Sequence, residues 1–304
     1  MVNNVRLAVL SDIHGNFPAL QAIIDDMQQF DVDHVVVAGD SINWAPFSVA
    51  VMQRMMAENW AVIRGNHEMY LLEWGRPEVP EYRRNWSIPR WLNTVIPPDI
   101  RRVIAALPDT LTLLYRDVPP IRVLHGSPGD HWCGIYYQTT DDEIEEMLSS
   151  VEQETVIVGH THLPMDRQSG RWHIFNPGSV GVPLDGVHGA SYLLLESDGG
   201  PWQPTFRHVT YDLKPIFDEF ERLDFIRLHG PTARLLIEEI RMARPLVAGF
   251  YRWLNEHHAN QPETLALVET FLADPEAVWH YLHPFYRLNL PVHVSKLEAG
   301  QNGG

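Results

Sequence analysis

The sequence predicts an α/β fold, a mostly parallel sheet covered by helices, followed by a helical C-terminal segment. Three observations predict it. Short apolar runs alternate with helical patterns over the first two thirds of the chain, and such β-α-β-α-β order calls for parallel strands with helices on their faces. Several of the apolar runs end in a polar, glycine-bearing motif, where the strands of an open sheet deliver ligand-binding groups. From about Asp212 onward, apolar residues recur at i, i+3 and i+4, the spacing of one helix face.

The elements follow in order. "VRLAVL" (5–10) reads as a buried strand. "FPALQAIIDDMQQF" (17–30) places Leu20, Ile23, Ile24 and Met27 at helical spacing behind Pro18, with Asn16 as its cap. "DHVVVAGD" (33–40) is a second strand, "FSVAVMQRMMAE" (47–58) a helix, and "WAVIRGNHE" (60–68) a third strand with its exit loop. Residues 75–99, rich in Pro, Arg and Trp, show little periodicity and read as an insertion and candidate lid. "DTLTLLYRDVPPIRVLHGSP" (109–128) is a strand pair around Pro-Pro, "DDEIEEMLSS" a short helix, and "ETVIVGH" another buried strand. "RWHIFNPGSVG", "ASYLLLES" and "WQPTFRHVTYD" supply the remaining strands. Residues 1–211 are therefore expected to form one α/β domain and 212–304 a helical extension, broken at Pro245 and Pro262 and frayed at "LEAGQNGG".

Composition narrows the function. The 304 residues are 45% hydrophobic and 20% charged, an ordinary globular balance. No stretch is long and apolar enough to span a bilayer, and the N-terminus lacks the form of a signal peptide, so a cytoplasmic protein is expected. The single cysteine, Cys133, can form no internal disulfide and reads as an inert, half-buried thiol. A net charge of −16 disfavours nonspecific nucleic-acid binding but leaves room for a small phosphorylated substrate held by metal ions.

Five polar motifs each follow a predicted strand: "SDIHGN" (Asp12, His14), "AGD" (Asp40), "RGNHE" (Asn66, His67), "LHGSP" (His125) and "GHTH" (His160, His162). Strand ends in such a sheet line one crevice, so motifs distant in sequence converge. Asp, His and Asn suit Mn, Fe, Zn or Ni, and the absence of thiolates argues against a structural zinc. Seven candidate ligands exceed one tetrahedral ion and suit two, about 3.5–4 Å apart, with Asp40 shared between them.

In this order, D-x-H, G-D, G-N-H-[DE], H-G and G-H-x-H resemble the calcineurin-like metallophosphoesterase superfamily over roughly residues 5–210. "SDIHGN", "HGSP" and "NPGSVG" are similar to its bacterial branch of small phosphodiesterases and phosphatases. The resemblance implies a four-layer sandwich of two mixed sheets flanked by helices. It implies Asp12, His14 and His162 on the first ion, Asn66, His125 and His160 on the second, and Asp40 bridging. It also implies a hydroxide held by both ions as nucleophile. His67 would act as an imidazolium acid at the leaving group, with Glu68 orienting it.

Other residues admit two readings. Arg64 is a phosphate contact or a strand-end charge, and His131 and Trp132 line the pocket or merely follow the "HGSPGD" loop. "NPGSVG" (176–181) cradles an anion or makes a structural turn, the second being preferred. Arg83, Arg84 and Arg90 grip phosphate or form a solvated face; Trp74, Trp86 and Trp91 stack a base or pack the insertion. Where relatives often carry a Gly-Tyr-Gly-Pro-like stretch, this chain has "GDSINWAPF", so Asn43 and Trp44 reshape one pocket wall. The expected function is a binuclear phosphohydrolase for a small or nucleotide-like ester. The alternatives are a serine/threonine-type protein phosphatase and a non-catalytic scaffold. The C-terminal helices are compatible with a lid, a homo-oligomer surface or a partner site.

Overall fold

The computed structural model describes residues 4–84, 86–259 and 261–287. The "LEAGQNGG" tail lies outside the described residues. The strands are β1 (Val5–Leu10), β2 (His34–Val37), β3 (Ala61–Val62), β4 (Leu111–Leu113), β5 (Ile121–Val123), β6 (Thr155–Ile157), β7 (Met165–Ser169), β8 (Trp172–Asn176), β9 (Ala190–Ser197) and β10 (Gln203–Val209). The helices of the first part are α1 (Phe17–Met27), α2 (Ser48–Glu58), α3 (Asn66–Leu72), α4 (Glu81–Arg84), α5 (Ser87–Val95), α6 (Pro98–Ala106) and α7 (Asp141–Leu148). The later ones are α8 (Lys214–Arg222), α9 (Phe225–Met242), α10 (Val247–His257), α11 (Leu265–Leu272), α12 (Pro275–Tyr281) and α13 (Pro284–Arg287).

Two mixed five-stranded sheets result, ordered β10-β9-β1-β2-β3 and β4-β5-β6-β8-β7. β1, β2 and β3 run parallel, as do β5, β6 and β8. Side-chain alternation explains the layering. Leu7 and Val9 of β1 join Val36, Ile121, Val123, Ile157, Phe175 and Leu193 in a core drawn from both sheets. Ala8 and Leu10 face the other way, onto Leu20 and Ile23 of α1 and Val51 and Met55 of α2. The second sheet's outer face packs Val156 and Ile174 against Ile144 and Leu148 of α7. Helix, sheet, sheet, helix is therefore the four-layer order. Strands covered on both faces carry unbroken apolar runs, because no position faces water. Each buried Leu, Ile or Val contributes about 1.5–3 kcal/mol.

The structure departs from the sequence reading in places. Residues 75–99 contain α4, α5 and the start of α6; Ile88 and Leu92 bury one face of α5. "GNHE" opens helix α3 instead of forming a loop, because Glu68 caps the turn that it begins. "MDRQS" forms β7, an edge strand whose alternating exposed polar residues hid it. "PETLALVETFLADPEAVWHYL" is two helices, since Asp274 caps α12 and Pro275 starts it. Among the described residues, no helix is long and apolar enough to cross a membrane.

The C-terminal helices pack in two clusters. Ile216 and Phe220 of α8 and Leu236, Ile237 and Ile240 of α9 meet Ile88, Val182 and Leu184 of the preceding chain. Leu235, Phe250, Val268 and Phe271 form a separate core among α9 to α12.

Candidate metal centre

The parallel strands deliver the five motifs to one end of the two sheets. Asp12 and His14 follow β1, Asp40 follows β2, and Asn66 and His67 open α3 after β3. His125 follows β5, and His160 and His162 follow β6. Asp12, His14, Asp40, His160 and His162 all adopt left-handed backbone, with φ of 54°, 51°, 54°, 67° and 59°. Such conformations are uncommon away from glycine and gather at functional sites. Loop-to-loop hydrogen bonds hold them: His14 N to Asp40 O (2.9 Å), Gly15 N to Ser41 O (3.0 Å) and Gly159 N to His125 O (2.7 Å). At Gly39 (φ 92°), a Cβ would lie 2.6 Å from His125 Nδ1, so the approach of the two loops requires glycine.

Three groups of donor atoms converge: Asp12, His14 and His162; His14, Asp40 and His67; and Asp40, His125 and His160. Asp40 Oδ2 lies 3.2 Å from His125 Nε2, 3.8 Å from His14 Nε2 and 4.0 Å from His67 Nε2. Its other oxygen accepts from His67 N at 2.7 Å. Asp12 is divided in the same way: Oδ2 accepts from His160 N at 3.1 Å, while Oδ1 is buried without a hydrogen-bond partner. Asn66 Oδ1 lies 3.0 Å from His125 Nε2 and 2.9 Å from His160 Nδ1. The structure thus brings together all seven residues singled out as ligands.

Backbone carbonyls aim two of the imidazoles. His125 Nδ1 donates to Ala38 O at 2.7 Å and His162 Nδ1 to Val182 O at 2.6 Å. Each ring then turns Nε2 inward, the arrangement by which an acceptor behind the ring prepares a histidine for metal. His14 Nε2 and His162 Nε2 face each other at 3.0 Å in a buried setting. Facing imidazole nitrogens with Asp12 Oδ1 beside them, 3.3 Å from His162 Nε2 and 3.7 Å from His14 Nε2, fit a cation, and nitrogen and oxygen donors without thiolate fit a borderline transition ion.

The electrostatics point the same way. Burial works to raise Asp12, yet His162 and His14 hold its carboxyl well below the usual range. Burial likewise opposes Asp40, and His125 and His67 hold its carboxyl below the usual range. Against the effect of burial, Asp40 drives His125 up to about 10, and Asp12 raises His162. Burial depresses His14, and it depresses His160 to about 4. The carboxylates therefore favour the charged forms of His125 and His162.

The surroundings of His67 bear on its expected role, and those of Glu68 correct its own. Burial, then the neighbouring imidazoles, pushes His67 well below the ordinary histidine range despite Asp40. This enclosure disfavours the expected imidazolium. Glu68 does not orient His67. Its oxygens accept from the backbone N–H of Gly65 (2.7 Å), Asp40 (3.0 Å), Ser41 (2.8 Å) and Ile42 (3.3 Å), so it clamps the Asp40 loop to α3. Burial and Asp40 raise it to about 7.

Arg64 and His131 meet on one carboxylate: Arg64 Nη2 and His131 Nε2 lie 2.7 Å and 3.2 Å from Asp109 Oδ1. Asn16 caps α1 through Ala19 N and also donates to Gly181 O. "NPGSVG" braces the site: Asn176 Nδ2 donates to Gly159 O, Ser179 Oγ to Asp12 O, and Gly181 N to Asp12 O. Cys133 is exposed, not half-buried. Arg83 lies over Trp132 (4.0 Å), Arg90 over Trp74 (5.7 Å), and Arg84 is exposed. Trp91 packs edge-on to Phe225. Sequence reasoning missed the carbonyls of Ala38 and Val182 and the brace by Asn176 and Ser179; only the turn signal of "NPGSVG" hinted at the brace.

Comparison with known proteins places this geometry. A family model for the calcineurin-like phosphoesterase superfamily domain matches residues 5–200. Phosphodiesterase YfcE of Escherichia coli K12 is 28% identical over 205 residues, covering 64% of this chain and 89% of its own. The crystal structure of a hypothetical protein from Pyrococcus horikoshii superposes with TM-score 0.65 at 22% identity, over 78% of this chain and 97% of the other. That of a metallophosphoesterase from Sphaerobacter thermophilus gives 0.62 at 22% identity, over 79% and 100%. These two structures share the fold described above.

Proposed function

The chain belongs to the calcineurin-like phosphoesterase superfamily and is a metal-dependent phosphoester hydrolase, and from that premise we propose a binuclear centre acting on a small phosphodiester or phosphomonoester. One observation carries the binuclear reading. Asp40 belongs both to a group containing His14 and to a group containing His125 and His160. Asp12, His14 and His162 would hold one ion, Asn66, His125 and His160 the other, and Asp40 both. The donor set suits Mn, Fe, Zn or Ni.

When bound, such ions supply Lewis acidity towards phosphoryl oxygens and lower the pKa of water towards neutrality. The chain supplies the rest. Asp40 and Asn66 sit on loops fixed by Glu68 and by the first turn of α3, so the donors are preorganised. His67, its Nε2 4.0 Å from Asp40 Oδ2, is placed to donate a hydrogen bond or proton to the departing or phosphoryl oxygen. Arg64 and His131 reach a substrate only by leaving Asp109.

The enclosure favours a small ester over a phosphoprotein. Asp12, His14, Asp40, His125 and His162 are buried, and Trp44 and Trp86 crowd His67. Metal analysis of protein purified without chelator, with assays on bis-p-nitrophenyl phosphate, p-nitrophenyl phosphate and a phosphopeptide panel, tests the reading. Hydrolysis of the nitrophenyl esters with added Mn supports it. Turnover confined to phosphopeptides would replace it with the protein-phosphatase alternative.

A further inference from the structure

Hydrogen-bond donors without acceptors surround His67. The indole Nε1 of Trp44, the indole Nε1 of Trp86 and the amide Nδ2 of Asn43 are buried and unpartnered. Trp44 stacks on His67 with ring centroids 5.5 Å apart and planes at 26°, and it also lies 4.9 Å from His14 and 5.9 Å from His162. Trp86 meets His67 edge-on at 5.9 Å. Two separate elements, the loop after β2 and the entry to α5, thus bring an indole to the same imidazole.

The backbone is strained to achieve this. Asn43 and Trp44 are consecutive left-handed residues, with φ of 71° and 77°. Asparagine tolerates that region, whereas a bulky residue there is an outlier that persists only where the fold over-determines it. Asn43 is held from both sides: its N–H donates to Ser48 Oγ at 3.0 Å, and its Oδ1 accepts from Trp44 N at 2.8 Å. A buried donor without an acceptor also costs stability. Strain and unmet hydrogen bonds fall on the same residues, beside the candidate ligands. An acceptor-rich ligand satisfies the donors.

We propose that Trp44 and Trp86 are substrate-binding, specificity-determining residues. Their indole N–H groups take phosphoryl oxygens, and their ring faces seat an aromatic ester group. Aromatic rings surround the indoles: His14, His67 and His162 beside Trp44, and Tyr70, 4.8 Å from Trp86. A flat aryl or nucleoside group gains stacking there. The rings part to admit the ester, because His14 and His67 beneath them are buried. The assignment rests on the hydrolase reading above.

The test compares Mn-loaded parent, Trp44→Phe, Trp86→Phe and Trp86→Leu on bis-p-nitrophenyl phosphate and ethyl p-nitrophenyl phosphate. These diesters share a leaving group and differ in the retained one. Phenylalanine keeps a ring and removes the N–H. Each Phe variant should lose about ten- to a hundredfold in kcat/KM on both diesters, with metal content and melting temperature near the parent's. Trp86→Leu should also shrink the aryl-over-ethyl preference. Phe variants within twofold of the parent on both diesters would overturn the proposal and leave the hydrolase reading standing. A parent inert on both esters would overturn the two together. The tryptophans lie on different elements, so if one variant fails to fold the other decides.

Discussion

The Nε2 atoms of His14 and His162 lie 3.0 Å apart, although 148 residues separate them in the chain. Each is held from behind: the backbone of His14 is tied to Asp40, and the ring of His162 to Val182. A pair of buried imidazole nitrogens facing across that gap, with Asp12 Oδ1 within 3.7 Å of both, is a site shaped for positive charge.

Asp40 is the residue whose loss should damage most. Asp40→Asn removes one of the two carboxylates in the converging donor groups and leaves His125 without its nearest counter-charge. We expect metal content to fall and kcat/KM on bis-p-nitrophenyl phosphate to drop by at least about a thousandfold, comparable with removing a central electrostatic group. Elemental analysis and steady-state kinetics check this together. Retention of both metal and activity would show that Asp40 is not shared between ions.

Glu68 should behave as a positioning residue. Its carboxylate accepts four backbone N–H groups, and Glu68→Gln turns an amide donor towards two of them. The expected cost is about 1–3 kcal/mol per unmet group, with weakened metal retention. Activity per bound metal should stay near the parent's. Chemical denaturation, with activity normalised to metal content, separates this from a role in proton transfer, for which activity per metal would collapse.

Glu239 makes stability pH-dependent. Burial raises it to about 8 from 4.5, so the folded protein holds a proton that the unfolded chain releases at lower pH. Folding binds a proton across that window, and stability falls as pH rises from 4.5 to about 8. Its Oε1 accepts from Leu246 N and Val247 N, which glutamine can still satisfy. Glu239→Gln should therefore melt close to the parent at pH 5 and above it at pH 8.5. A constant difference across pH would contradict this.

Residues 212–304, proposed as a helical extension, are expected to be inseparable from the catalytic part. α8 and α9 cover Val182 and Leu184, and the Val182 carbonyl holds His162. A chain ending at Tyr211 should aggregate or melt more than about 10 °C lower, given the apolar area exposed. Light scattering and thermal melting decide. A fragment as stable and active as the full chain would make the helices a detachable appendage.

Much of this was legible in the sequence, for a physical reason. Strands covered on both faces must be apolar throughout, so "VRLAVL" and "VIV" stand out, and their ends locate the polar motifs. The candidate ligands come from those ends, which the parallel topology gathers. What escaped notice depends on tertiary contacts. "MDRQS" is an edge strand and carries no apolar run. Glu68 follows His67 in sequence, yet its partners are backbone groups of a loop 26–28 residues earlier. The strain at Trp44 and the carbonyls behind His125 and His162 have no side-chain signature.

The most direct measurement is metal content with activity, for the parent and His162→Ala, after purification without chelator. About two ions per chain, and Mn-stimulated hydrolysis of a nitrophenyl phosphoester that the substitution strongly lowers, is the predicted result. A chain that stays metal-free and inert with every divalent metal tried would contradict the account.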